Sequence, residues 1–349
     1  MSTKDFTTPS LDHTMQPTIK PSCKTATARA YNKMKTILFK PFNFEKWLIL
    51  AFCVWLVNMF ENYGQGFGFF GNLQPEQISH IKKVNLAAEV SSFINNANGF
   101  TETKMGISLI LTIILIFIIV TIASIAIFIL IWLKSRFNFI FLDNLKNNTQ
   151  KISEPWKQYK KIGNSCFLWS IAFQTISFLI SAVIFAVFFV ILFNILNKEQ
   201  ESTYALTVLI FTTAPIFILL FLIYIIIFTL FKHFVIPVMY KMEINSIPAW
   251  REIMVLIRQK PGSFIKYLLI LPCYYIISAF IIFLLIICTC CLLGCLFSIP
   301  FAGGYISALV LLPIFLFFRL FGVEYLAQFG KEYDLKILED NFVNSDYKT

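Results

Sequence analysis

The stretch Ile152–Trp169, ISEPWKQYKKIGNSCFLW, predicts a short basic helix that continues directly into a membrane span. Ser153 is a natural N-cap and Pro155 suits the first turn of a helix. Gly163 is expected to end this helix, and an apolar segment of about thirty residues follows it. Helical spacing gives an apolar side of Ile152, Trp156, Tyr159 and Ile162 and a polar side of Lys157, Gln158, Lys160 and Lys161. Such a helix is expected to lie on a membrane surface.

The composition is that of a polytopic membrane protein. Of the 349 residues, 58% are hydrophobic and only 14% are charged, and the mean hydropathy is +0.73. Soluble globular domains contain far more charge. Runs such as Met105–Leu133 are apolar on every side of a helix, so lipid must replace water as their solvent.

The net charge of +10 points to membrane lipids rather than to nucleic acid. The basic residues lie between apolar segments, whereas a nucleic-acid-binding module gathers them in one soluble patch. We expect anionic lipid head groups to be the partners, because each Lys or Arg near such a surface contributes about 1 kcal/mol. Membrane topology alone would explain the same charges equally well.

The expected fold is all-α, a membrane bundle of six transmembrane helices. A disordered tail at 1–27 and a polar tail at 336–349 are expected to flank a membrane domain at 28–335. The spans are predicted at about 44–60, 105–133, 166–196, 204–231, 264–293 and 299–321. The first span is the weakest, since about seventeen residues barely cross a bilayer. Residues 75–95 predict an amphipathic helix outside the membrane.

The distribution of positive charge predicts the orientation of these spans. If both termini are cytosolic, 25 of the 29 lysines and arginines fall on the cytosolic side. That bias agrees with the positive-inside rule. Without the weak first span, the lysines and arginines would no longer be concentrated on one side of the membrane.

Three basic helices with an aromatic residue each precede a pair of predicted spans, in units near 28–133, 150–233 and 246–321. The pattern fits either a threefold hairpin repeat or the ordinary alternation of a six-span protein. The third helix has Ser246 as its predicted N-cap and an apolar stripe of Ile247, Trp250, Met254 and Ile257. The predicted membrane-surface anchors are Tyr31, Trp156, Lys157, Lys160, Trp250, Arg251 and Arg258.

The sequence predicts no catalytic, cofactor-binding or metal site. Ionisable residues are missing from the middle of every predicted span, which argues against ion coupling. The polar residues Gln174, Asn194, Thr212 and Thr213 are expected to form hydrogen bonds between helices. Cys288, Cys290, Cys291 and Cys295 could hold a soft metal, but they lack a nearby histidine and are expected to serve in packing. The histidines His13, His80 and His233 are isolated from one another in the sequence, which argues against a catalytic set.

Five strings resemble a family of uncharacterised bacterial six-span membrane proteins: RFNFIFLDN at Arg136–Asn144, EPWKQY at Glu154–Tyr159, GNSCFLW at Gly163–Trp169, FVIPVMY at Phe234–Tyr240 and EYLAQFGKEYDL at Glu324–Leu335. That family is distantly similar to the membrane domain fused to some glycerophosphodiester phosphodiesterases. The catalytic barrel of those enzymes has no counterpart in this sequence. The resemblance therefore implies a bacterial inner-membrane protein and transfers no active site.

Two functions fit these observations. The first is a non-enzymatic inner-membrane protein that serves as a lipid-facing or partner-binding module. The alternative is a transporter or exporter of lipids or other apolar small molecules, suggested by Pro215 within the fourth predicted span and by the break near Gly294–Pro300.

Overall fold

The structure is a computed structural model that describes residues 21–58, 103–196, 202–289, 292–297, 299 and 302–338. Every regular element within these ranges is a helix. The predicted outer helix at 75–95 and residues 1–20 of the predicted disordered tail lie outside the described residues. Within the remainder of that tail, a helix already begins at Cys23.

The α-helices are numbered in chain order, and a π-helical turn, Phe231–Val235, connects the sixth to the seventh. The chain begins with α1 (Cys23–Phe39), α2 (Phe44–Asn58), α3 (Thr103–Asn147), α4 (Ser153–Gln158), α5 (Lys160–Leu196) and α6 (Ser202–Leu230). It continues with α7 (Ile236–Met242), α8 (Ser246–Gln259), α9 (Pro261–Cys288), α10 (Leu292–Phe297), α11 (Ala302–Val310) and α12 (Leu312–Leu326). Two short 3-10 turns, Ala327–Phe329 and Lys331–Tyr333, follow α12.

Within the described ranges, five helical runs are long and apolar enough to cross a bilayer. They are Leu111–Asn147, Lys160–Ile195, Thr207–Met242, Pro261–Cys288 and Leu312–Phe329. The chain thus has the helical architecture of a membrane protein. The first predicted span corresponds to α2, which has only 15 residues and is not among these five. Six spans therefore stay a prediction.

Helix α3 does not end where the predicted span ends. It continues from the apolar segment through Lys134 and Arg136 to Asn147, a total of 45 residues. At a rise of 1.5 Å per residue this is roughly 65 Å, about twice the thickness of a bilayer core. No proline interrupts the helix, so its last turns extend as a polar continuation of the apolar segment.

Burial is concentrated at one end of the molecule, here called the packed end. It is formed by residues 131–147 of α3, the first two turns of α5, the π-helical turn with α7, and α12, with α1, α2 and α8 packed around them. By contrast, every residue of α3 from 111 to 129 is exposed. Because this exposed surface is apolar, we expect lipid to cover it.

Helix α1 packs against α12, and polar contacts hold the pair in register. The Lys33 ammonium lies 2.7 Å from the Glu324 carboxylate, which is almost fully buried. The amide of Gln328 exchanges two hydrogen bonds with the backbone of Ser22. The predicted basic surface helix is thus part of the packed end, with Met34 and Leu38 buried and Tyr31 53% exposed.

Both ends of α2 contact the packed end. At its start, the Lys46 ammonium donates hydrogen bonds to the Ile37 carbonyl and to Asn148, just after α3. At its last residue, Asn58 accepts a hydrogen bond of 3.1 Å from the Lys232 ammonium in the π-helical turn. A helix that crossed to the opposite leaflet would carry Asn58 away from this end. The contact therefore favours a placement of α2 beside the packed end.

The structure differs from the predictions at Gly163 and at the two predicted N-caps. Gly163 does not end a helix, because it lies in the first turn of α5. A Cβ atom at this position would approach Arg136 Cγ to 3.0 Å, so Gly163 allows α3 and α5 to come close together. Ser153 and Ser246 are the first helical residues of α4 and α8, not their N-caps.

The predicted apolar stripe around α4 packs inward, whereas that of α8 does so only in part. Around α4, Tyr159 and Ile162 are buried in the packed end. In α8 the buried side is formed by Ala249, Ile253 and Leu256. Of the predicted α8 stripe, Ile247 and Met254 are exposed, while the other two residues pack against the core. The inward side of α8 is therefore selected by tertiary packing.

Candidate functional site

Arg136 of α3 lies against two indole rings, which contact each other edge to face at 5.6 Å. Its guanidinium carbon lies 4.4 Å from the ring centre of Trp132 and 4.7 Å from that of Trp156. One terminal nitrogen donates a hydrogen bond of 3.2 Å to the Asn164 side chain. Stacking on aromatic faces suits the planar, weakly hydrated guanidinium group. This contact attaches α4 to α3.

Asp143, two turns further along α3, accepts hydrogen bonds from two tyrosines. Its Oδ1 atom lies 2.8 Å from the Tyr159 hydroxyl and 2.9 Å from the Tyr240 hydroxyl. Burial raises the pKa of the Tyr159 phenol, and the nearby Asp143 carboxylate raises it further. The phenol therefore stays protonated and donates its hydrogen bond. Asp143 connects α3 to the start of α5 and to α7.

Arg319 of α12 links three helices near the centre of the packed end. One terminal nitrogen donates a hydrogen bond of 2.8 Å to the Lys232 carbonyl in the π-helical turn. The other lies 3.5 Å from Asn138 Oδ1 of α3. The π-helical geometry shifts the carbonyls of this turn out of the regular α-helical pattern, and π-bulges are frequent at functional sites.

A cavity of about 40 Å³ adjoins this network, between α3, α5 and the π-helical turn. Its polar lining consists of Lys134, Ser135, Asn138, Ser170, Gln174 and Lys232. Aromatic rings of Trp169, Phe173, Phe228 and Phe231 form much of the rest. Neither Asp nor Glu occurs among the described residues that line the cavity. The cavity thus combines two ammonium groups with an aromatic wall, and we regard it as the candidate functional site.

The two lysines of the cavity have defined positions. Lys134 Nζ lies 5.6 Å from the ring centre of Phe228, and Lys232 Nζ donates to Asn58. Both side chains are only partly buried, so their charges are reachable from outside the bundle. The serine hydroxyls of the lining donate to backbone carbonyls of their own helices, as Ser135 does to Ile131 and Ser170 to Cys166.

Gln174 differs from the other polar residues of the predicted spans. Asn194, Thr212 and Thr213 each donate to a carbonyl one turn earlier in their own helix, so the prediction of bonds between helices is wrong for them. The Gln174 amide makes no hydrogen bond within the part of the chain that the structure describes. An amide left without a partner in lipid costs several kcal/mol, so Gln174 marks the cavity as a place for a polar group.

The predicted surface anchors lie around the packed end rather than in the cavity. Lys157, Lys160, Arg251 and Arg258 are exposed, as is Tyr31. Trp156 and Trp250 are partly buried, the first against Arg136 and the second 5.5 Å from the ring centre of Trp169. The structure therefore places the four cations on the outer surface and the two indoles at the edge of the core.

The remaining candidates of the sequence analysis do not converge. Cys288 and Cys295 are exposed, while Cys290 and Cys291 lie outside the described residues, as do His13 and His80. His233 is buried, with Nδ1 2.8 Å from the Tyr267 hydroxyl. Within the described ranges no group of three or more His, Cys, Asp or Glu side chains could hold a metal ion.

The sequence analysis missed the burial of five ionic residues in and around the packed end: Lys46, Arg136, Asp143, Arg319 and Glu324. A signal for Arg136 and Asp143 was present, because the string RFNFIFLDN alternates charged and amide residues with large apolar ones. Arg319 likewise stands alone inside an apolar run. Isolated charges in such runs are expected to be buried and paired.

A family of unknown function, DUF7544, matches residues 25–329, and the chain belongs to this family. This confirms the expectation of an uncharacterised family. No curated protein and no solved structure matches the chain. The resemblance to the membrane domain of glycerophosphodiester phosphodiesterases therefore stays an expectation.

Proposed function

We propose that this DUF7544 protein is a non-enzymatic inner-membrane protein of bacteria whose packed end lies at the cytosolic leaflet and binds anionic lipid head groups. Both termini would be cytosolic, and six helices would cross the bilayer. The basic helices around the packed end would be its amphipathic contacts with the leaflet. Each part of this proposal follows from how charge is distributed along the helices.

The observation that carries the proposal is the separation of charged from uncharged residues along the long helices. In α5, residues 168–196 contain no charge, and in α9 residues 267–288 contain none. Lysines and arginines lie where these helices enter the packed end, at Lys160 and Lys266. A transmembrane helix that ends at an anionic leaflet is expected to have an uncharged middle and basic residues at that end.

The outer surface of α8 supports the same orientation. Arg251 and Arg258 alternate there with the exposed apolar residues Ile247, Met254 and Val255. Apolar side chains can enter the boundary of the acyl region while the guanidinium groups stay at the phosphate level. Exposed apolar residues beside exposed guanidinium groups are the composition expected of a helix at a membrane interface.

A lipid-retention experiment tests this proposal. Full-length protein is purified in detergent with an equimolar mixture of phosphatidylglycerol and phosphatidylcholine, and the retained lipids are counted. We expect several-fold enrichment of phosphatidylglycerol. A variant with Lys157→Gln, Lys160→Gln, Arg251→Gln and Arg258→Gln should lose much of it, because each exposed cation contributes about 1 kcal/mol at such a surface.

The matched control is Lys151→Gln, which removes a lysine that already pairs with Glu154 at 3.0 Å. Its enrichment should stay close to that of the wild type. Equal retention of the two lipids by the wild-type protein would contradict the proposed function.

Transport of lipids or other apolar molecules is the second candidate. It is favoured by Pro215 inside α6 and by the π-helical turn at the end of the same run, since irregular helices often line transport sites. The cavity of about 40 Å³ is small beside the roughly 300–1,000 Å³ of ordinary ligand pockets, which favours head-group binding. Flux of a fluorescent lipid in proteoliposomes distinguishes the two, because the leading proposal predicts none.

A further inference from the structure

We propose that the cavity between α3, α5 and the π-helical turn binds a single phosphate group, held by Lys134, Lys232 and Gln174. The inference rests on the proposed function and deepens it, because it names one site and one ligand class within the lipid contact. The source of the phosphate would be a phospholipid head group or a soluble phosphate compound, and the experiment below distinguishes them.

The position of the cavity fits the phosphate level of a membrane. Lys134 directly follows the charge-free segment of α3, and Lys232 follows that of α6. Gln174 lines the same cavity from within the charge-free segment of α5. The cavity thus joins the first charged side chains beyond the apolar segments of α3 and α6 to an amide on the apolar side of this boundary. In a membrane this is the depth at which lipid phosphates lie.

The donors of the cavity suit an anion with several oxygen atoms. The two ammonium groups supply positive charge and rotatable N–H donors, and the Gln174 amide supplies two further donors. No carboxylate among the described residues lines the cavity. The Gln174 amide also needs a polar partner, since the described part of the chain gives it none. A phosphate oxygen would accept a hydrogen bond from this amide and would attract the two ammonium groups.

The size of the cavity limits the ligand to one small group. A volume of about 40 Å³ has room for roughly three water molecules, comparable with one phosphate group. Any larger ligand must therefore extend out of the cavity. Along α5 and α6 it would meet stacked rings, with Trp169 and Phe173 5.1 Å apart and Phe173 and Tyr224 5.3 Å apart. This apolar wall suits an acyl chain.

The experiment measures tightly bound lipid by native mass spectrometry of the full-length protein after extensive washing in detergent. We expect one phosphatidylglycerol per chain. Lys134→Gln should weaken its retention by at least about tenfold, because it removes a charge-assisted hydrogen bond. Gln174→Leu should weaken it roughly three- to tenfold while leaving the apolar surroundings of α5 intact.

Two matched controls exclude general effects. Lys151→Gln removes an exposed cation outside the cavity that already pairs with Glu154, and Asn194→Leu removes an intramembrane amide that bonds only to its own helix. Both variants should retain the bound lipid. Thermal unfolding of all four variants identifies any that fail to fold, and Gln174→Leu then decides the question if Lys134→Gln does not fold.

Competing ligands identify the source of the phosphate and the chemical class of the bound group. Displacement of the lipid by excess inorganic phosphate would assign the site to phosphate groups in general, and its absence would assign it to phospholipid; both outcomes support a phosphate site. Equal retention of oleate, a carboxylate, would contradict the phosphate class. If the wild-type protein enriches phosphatidylglycerol in the lipid-retention experiment but keeps no lipid after extensive washing, only the phosphate site is contradicted. If it does not enrich phosphatidylglycerol at all, the proposed function is contradicted.

Discussion

The Asp143 carboxylate accepts hydrogen bonds from two phenols that are 81 positions apart in the sequence, Tyr159 and Tyr240. Each donor is buried, and so is the acceptor. A buried donor that loses its partner costs more free energy than a typical hydrogen bond contributes. At the residue scale, Asp143 is therefore the position where a single substitution should disturb most contacts between α3, α5 and α7.

We expect Asp143→Ala to destabilise the protein by roughly 2–6 kcal/mol, because it leaves two buried phenols without an acceptor at about 1–3 kcal/mol each. Tyr159→Phe removes one donor while Tyr240 still bonds to Asp143, and should cost only about 1 kcal/mol. Thermal and chemical unfolding in detergent measure both changes. Equal destabilisation by the two variants would show that Asp143 is not the shared acceptor.

The residue scale is also where the sequence was least informative. The alternation in RFNFIFLDN indicates that polar groups lie within an apolar segment, but it does not identify their partners. Those partners come from distant segments, such as Tyr240 for Asp143 and Lys232 for Arg319. Long-range pairing depends on the tertiary fold, so one sequence alone could not predict the cavity or the network beside it.

At the scale of the elements, the uniform apolar segments were predictable and the ends of the helices were not. A run such as 105–133 must form a helix in lipid, because every backbone group must be satisfied internally. Gly163 and Ser246, by contrast, are each compatible with more than one position at or near a helix end. Gly163 lies within α5 because α3 approaches it closely, and Ser246 begins α8 with its hydroxyl 2.9 Å from that of Ser165.

Gly163→Ala tests this explanation of the contact between α3 and α5. The new Cβ atom would lie 3.0 Å from Arg136 Cγ, and Arg136 is held in place by its contacts with two indole rings and by its hydrogen bond to Asn164. Overpacking costs about 1–3 kcal/mol, which should exceed the gain of about 1 kcal/mol in helix propensity. We therefore expect lower stability in thermal unfolding.

The matched control is Gly262→Ala in the first turn of α9, where a Cβ atom would meet nothing within 4 Å. This variant should be neutral or slightly more stable than the wild type. If the two alanine variants were equally stable, close packing at Gly163 would not be the reason for a glycine there.

At the scale of the whole molecule, the packed end and the apolar segments have different roles. The packed end buries ionic residues that have specific contacts, as with Glu324 beside Lys33 and Arg136 against two indole rings. The apolar segments expose almost their entire surface, and the most apolar parts of α3 and α5 contain no buried residue. Specific polar contacts are thus concentrated at the packed end, while the apolar segments require lipid as their solvent.

The central claim is that the basic packed end lies on the cytosolic side of a bilayer that the apolar segments cross. Labelling of single introduced cysteines with a membrane-impermeant maleimide tests it, with the native protein as background. In intact cells, Lys157→Cys and Arg251→Cys should stay unlabelled until lysis, whereas Gln200→Cys, between α5 and α6, should react from outside. Labelling of Lys157→Cys and Arg251→Cys in intact cells, with none at Gln200→Cys, would contradict the claim.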